Sequence, residues 1–147
     1  MMEGGNMKFV EEKIVKRDSS RQYDLKKIKY ESEKFNNIEY VYNMLFSLKN
    51  GKDFIFNGAS AKDSYPLRDG GCIAECSSIK EIDEFINKVD KSEKEKGAEW
   101  ERISILGTVN NEKISISFDL INKYIWVSLS VESELDVEKF LTTLEIL

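Results

Sequence analysis

Hydrophobic positions in the second half of the chain follow two different periods. Ile82, Phe85, Ile86 and Val89 are spaced i, i+3, i+4 and i+7, the apolar stripe of an amphipathic helix. Ser78 precedes them as an N-cap, and Glu81 stands where a capping box places its acid, so the spacing predicts a helix near 78–90. The alternating charges of Lys88–Lys96, closed by Gly97, predict a solvated, frayed helix end or a loop. Period two then takes over. Trp100–Leu106, Lys113–Leu120 and Tyr124–Val131 are rich in β-branched and aromatic residues, and Ile114, Ile116 and Phe118 alternate with Ser115, Ser117 and Asp119. Asn110-Asn111 and Asn122-Lys123 supply short turns, which makes an antiparallel meander with one dry and one wet face. The helical period returns in Val137, Phe140, Leu141 and Leu144. Ser133 caps this last helix, predicted near 134–145, and Glu134, Asp136 and Glu138 suit the positive end of its dipole.

The first half fits more than one template. Ile38, Tyr40, Tyr42, Met44, Phe46 and Leu48 alternate as a strand would, whereas Ile38, Val41, Tyr42, Leu45 and Leu48 satisfy the helical rule. β-propensity, and the hairpin signal Asn50-Gly51 before Phe54-Ile55-Phe56, favour strand–turn–strand. Residues 7–17 are amphipathic, with their type left open. Asn57–Gly71 holds the only proline and reads as a long connection; Tyr65 within it belongs to no core period. Together these elements give an α+β domain over 7–147, an antiparallel sheet with a C-terminal three-strand meander and two helices packed on one face. The expected core includes Ile82, Phe85, Ile86, Ile114, Ile116, Phe118, Trp126, Val137, Phe140 and Leu141. Residues 1–6 read as an extension without function, either a floppy terminus or the product of a start codon assigned upstream of Met7.

Composition narrows the chemistry. Among 147 residues there is no histidine, which removes the commonest general acid–base and the usual base of Ser and Cys nucleophile systems. No Gly-rich phosphate loop, nucleophile elbow or metal-ligand cluster takes its place. The two cysteines, Cys72 and Cys76, would sit about 13 Å apart along a strand, too far for a disulfide, and read as buried structural thiols. Glu99 and Glu101 flank Trp100, but in a strand the two acids share a face while the indole points away from them. The sequence therefore assigns no catalytic residue, no cofactor and no metal, and predicts a protein that is not an enzyme.

Charge points to the class of partner. The net charge of −5 is uneven: residues 8–35 carry nine basic and six acidic side chains, residues 36–147 thirteen basic and twenty acidic. An acidic body argues against nucleic acid and is compatible with a basic protein partner. With no membrane-length apolar run and no secretory signal, the expected location is the cytoplasm. The capped helix Ser78–Val89, the meander Lys113–Val131 and the acidic helix start Glu134–Glu138 give the chain a layout that resembles the small acidic immunity proteins bacteria pair with toxins. The likeness lies in size, charge and layout and carries over no individual residue. It implies neutralisation of a cognate toxin, a basic domain, by direct stoichiometric binding. The residues proposed for partner contact are Tyr65, Glu132, Glu134, Asp136 and Glu138. A small-molecule-binding or carboxylate-based hydrolytic domain built on the Asn57–Gly71 loop is the first alternative; an accessory protein of a phage or mobile element is the second.

Overall fold

The computed structural model describes residues 8–31, 38–48, 54–63, 73–96 and 100–145. Its centre is the expected meander: β5 (Trp100–Val109), β6 (Glu112–Asp119) and β7 (Tyr124–Ser130), each antiparallel to the next. Asn110 and Asn111 close the first hairpin at φ 51° and 67°, the left-handed region that asparagine tolerates and a two-residue hairpin requires. In the second turn the Asp119 carboxylate accepts the N–H groups of Ile121 and Asn122, and Lys123 takes φ 66°. The sheet grows outward from both sides of this meander. β2 (Leu25–Glu31) pairs with β7, and β1 (Lys8–Val15) pairs with β2 through a bulge between Phe9 and Glu11. On the other side β3 (Phe54–Asp63) pairs with β5, and β4 (Ile73–Cys76) ends the sheet. The full order is β1-β2-β7-β6-β5-β3-β4, antiparallel throughout.

Three helices cover one face: α1 (Ile38–Leu48), α2 (Ile82–Lys96) and α3 (Val137–Glu145), with α1 touching both of the others. Ile103, Ile105, Ile116, Phe118 and Val127 from the sheet meet Val41, Leu45, Ile82, Val89 and Leu141 from the helices in one buried core. The architecture is the α+β fold read from the sequence, with one more helix. That helix occupies the segment expected to be a strand. Burial of Val41, Tyr42, Met44 and Leu45 follows a helical face, not the alternation of Tyr40, Tyr42 and Met44, so tertiary packing overrides β-propensity there. The Asn50-Gly51 turn lies outside the described residues.

Other boundaries also move. The connection expected from Asn57 begins as strand: β3 runs on to Asp63, its small residues Gly58, Ala59 and Ala61 lying beneath the helical layer or β4. A 3-10 turn (Ile79–Glu81) leads into α2, with the Ser78 Oγ accepting from the Lys80 N–H, while Glu81 reaches back to Ser77 instead of to Ser78. α2 then continues through the expected frayed segment, where Asp90–Lys94 and Lys91–Glu95 pair one turn apart. α3 starts at Val137, later than expected, because Asp136 is its N-cap and accepts from the Lys139 N–H. Trp126 leaves the predicted core for the opposite face of the sheet, and Phe140 is only half-buried.

Two contacts fix the helices on the sheet. The Trp100 Nε1–H donates to the Val89 carbonyl at 3.1 Å, tying α2 to β5. The Phe54 ring stacks on Phe140 at 5.9 Å and lies where a Cβ on Gly107 would be, 2.1 Å from its nearest atom. Glycine at 107 is thus a matter of space: any side chain there would displace the ring that holds α3.

Candidate functional site

On the helical side, β1 extends past the cover of the helices. Phe9 and Ile14 are 57% and 49% exposed, although their register partners Tyr30 and Lys26 face the same side as the core. Phe9 packs edge-on against Tyr30, with ring centroids 6.1 Å apart. Acidic groups surround this apolar pair. Burial is the main reason the Tyr30 phenol is pushed up to about 12, and the nearby carboxylates of Glu138, Asp136 and Glu12 add to it. Beside Ile14, the Lys26 ammonium donates to the Ser133 carbonyl, which fastens the Glu132–Asp136 connection to the strand.

Of the five proposed contact residues, Asp136 and Glu138 lie close to Tyr30, and Glu132 and Glu134 flank Ser133 in the connection that Lys26 holds. Glu132, Glu134, Asp136 and Glu138 are exposed, and none forms an ion pair with a described residue. Only Asp136 is engaged as a helix cap, and Glu132 and Glu134 precede the helix altogether. Tyr65 lies outside the described residues. The apolar members of the patch, Phe9 and Ile14, were missed because residues 7–17 could not be phased. Their signal was present in the alternation of Phe9, Glu12 and Ile14 once the bulge at Val10 is allowed.

Among the described residues no helix packs on the other face of the sheet, which the β1–β2 loop borders at Ser20–Tyr23 and which is organised as parallel rungs across the strands. One rung runs Lys13, Lys27, Ser128, Ser115, Leu106; the next Glu11, Lys29, Trp126, Ser117, Ser104, Ser60; the third Glu31, Tyr124, Asp119, Arg102, Lys62. Small serines make a floor, and the Ser104 and Ser117 hydroxyls bond at 3.0 Å. Long cations and aromatics make the walls. The Lys13 ammonium lies 4.9 Å from the Trp126 ring centre, and Lys29 lies 3.9 Å from Tyr124 and 5.2 Å from Trp126. Between them is a concavity of about 380 Å³ whose lining includes three cations, Lys13, Lys27 and Arg102, two carboxylates, Glu101 and Asp119, and Trp126.

Both carboxylates of this lining already have partners. Asp119 accepts from the turn that follows β6, including the Asn122 amide, and Glu101 pairs with Lys62 at 3.8 Å. Trp100 faces the core together with Ile103, three residues on, because a bulge at Glu101 breaks the strand alternation; Glu99 lies outside the described residues. Burial pushes the Cys76 thiol up at the end of β4, while Cys72 lies outside the described residues. Among the described residues no three His, Cys, Asp or Glu side chains converge as a metal would need, and no helix is long and apolar enough to cross a membrane. No family model, curated protein or solved structure matches the chain.

Proposed function

We propose that this chain is a non-catalytic protein-binding module, an immunity protein that holds a cognate toxin in a one-to-one complex in the cytoplasm. The observation that carries the reading is the corner where exposed Phe9 and Ile14 share a strand face with Glu12, and where Asp136 and Glu138 come close to Tyr30, the register partner of Phe9. Exposed apolar groups beside a mainly acidic set of charges are the anatomy of a protein-docking patch, in which the apolar groups supply affinity and the charges supply approach rate and orientation. The partner it fits is a basic domain. β1 is also an edge strand, so its free main-chain groups are placed to extend the contact. The rival hydrolytic reading needs two convergent carboxylates free to trade protons. Those at the open-face concavity are bound to Lys62 and to a turn.

The test is titration with the product of the gene immediately upstream. A one-to-one complex is expected. Phe9→Asp should weaken it at least a hundredfold, and the pair Glu134→Lys, Glu138→Lys should slow association with an effect that shrinks at high salt. Failure of the upstream product to bind would remove the immunity reading. Binding that ignores all three substitutions would move the docking site away from this corner.

A further inference from the structure

We propose that the concavity on the open face of the sheet is a binding site for the phosphate group of a phosphate monoester. It lies on the side of the sheet opposite the acidic corner and does not depend on the toxin reading. The arrangement is costly without an anion. Lys13 and Lys27 stand directly opposite each other on β1 and β2, and Lys62 and Arg102 on β3 and β5; like charges in directly opposed positions destabilise a sheet. The second pair is offset, because Glu101 bonds to Lys62 and Asp119 stands across from Arg102. Lys13 and Lys27 have no carboxylate partner among the described residues; Lys13 has only the face of Trp126.

The lining matches one chemistry. Lys13, Lys27 and Arg102 supply three cations, and Ser117 and Ser128 supply hydroxyl donors beside them; the two carboxylates of the lining are engaged elsewhere, Glu101 by Lys62 and Asp119 by the turn after β6. A single carboxylate would offset one of those charges, whereas a phosphate monoester carries about −1.5 to −2 at neutral pH and several acceptor oxygens. Trp126 and Ile121 add an apolar wall for the group that bears the phosphate, and about 380 Å³ lies within the range of small-ligand sites. The cation–π contacts of Lys13 and Lys29 hold the ammonium groups in place before the ligand arrives. The shared chemistry is the phosphate monoester, carried either by a free small molecule or by a phosphorylated side chain.

The two tryptophans provide the readout. Titration with phenyl phosphate, followed by the indole N–H resonances, should move Trp126 saturably and leave Trp100, buried on the other face, unmoved. Lys27→Met, which keeps the aliphatic stem, should weaken binding at least tenfold, and Arg102→Gln should do the same. Without ligand the Lys27→Met protein should melt no lower than the parent, since it loses a like-charge neighbour. A phosphoserine peptide binding more tightly than phenyl phosphate would identify a phosphorylated protein as the source, and the reverse order a free metabolite. Equal shifts with sodium chloride at matched ionic strength, the absence of saturation, or a lower melting temperature for Lys27→Met would each overturn the proposal.

Discussion

Two tryptophans sit on opposite faces of one sheet, and the difference between them sets what each substitution should do. Trp100 is buried with its N–H on the Val89 carbonyl, so Trp100→Phe should cost about 1–3 kcal/mol through loss of that bond and of buried indole volume, read by denaturant unfolding. Gly107→Ala should cost a similar amount, roughly 1–3 kcal/mol, by pushing the Phe54 ring out of its niche and loosening Phe140 above it. Tyr30 titrates with a defined sign. Its folded-state value of about 12 exceeds the ordinary 10, so the unfolded chain loses the proton first and stability falls as the pH rises from about 10 to 12. Tyr30→Phe should therefore flatten the alkaline end of the stability profile, measured by thermal melts across that range. The placement of Trp126 was legible but was read by its type. As a large aromatic it was assigned to the core, yet it shares strand parity with Ser128 and Ser130, whereas Ile125, Val127 and Leu129 form the dry set. The polar residues of β7, more than the aromatic ones, reveal its phase.

Elements were legible in proportion to how cleanly one period dominated. β6 alternates without exception and was found within one residue, and the stripe of α2 was found although the charges after Val89 concealed its length. α1 was misassigned because eleven residues with apolar side chains on most positions satisfy both templates at once, and only the neighbours α2 and α3 decide. Leu45 is fully buried between layers, so Leu45→Ala should cost about 2–5 kcal/mol, as helical packing requires. β2, with three lysines in seven residues, carries too little apolar signal to be seen alone; Ile28 and Tyr30 face the core because β7 supplies the facing rung. β3 reads in part as a loop because its middle is built from Gly58, Ala59 and Ala61, small residues with little strand propensity, the two alanines being buried in the core. At α3, Asp136→Ala should cost about 0.5–2 kcal/mol through loss of the N-cap, seen as a lower melting temperature. Glu134→Ala, outside the helix, should leave stability unchanged within about 0.5 kcal/mol, which separates the cap from the docking rim.

For the whole molecule, the charge distribution is a property of layers. The helices with the turns that lead into them, 38–48, 79–96 and 132–145, carry twelve acidic and six basic residues, while the seven strands carry eight of each. The half-by-half count along the chain captured the excess but not its direction, because the basic N-terminal segment forms the hairpin β1–β2 whose lysines divide between the two faces. The candidate docking corner was half legible for the same reason: its acids are neighbours in sequence, whereas its apolar centre comes from a strand more than a hundred residues away.

The ladder between β2 and β7 has a consequence for how the protein is made. Leu25 pairs with Ser130 and Glu31 with Tyr124, so the N-terminal hairpin has no place in the sheet until the last strand has been synthesised. At about 5–20 residues per second, a ribosome leaves that hairpin waiting for on the order of ten seconds. During that time its edge, with Phe9, Val10 and Ile14 uncovered even in the finished protein, is open to strands from other nascent chains. The bulge between Phe9 and Glu11 and the lysines at positions 8 and 13 interrupt that edge, and they would protect the growing chain from mispairing before they serve the folded one.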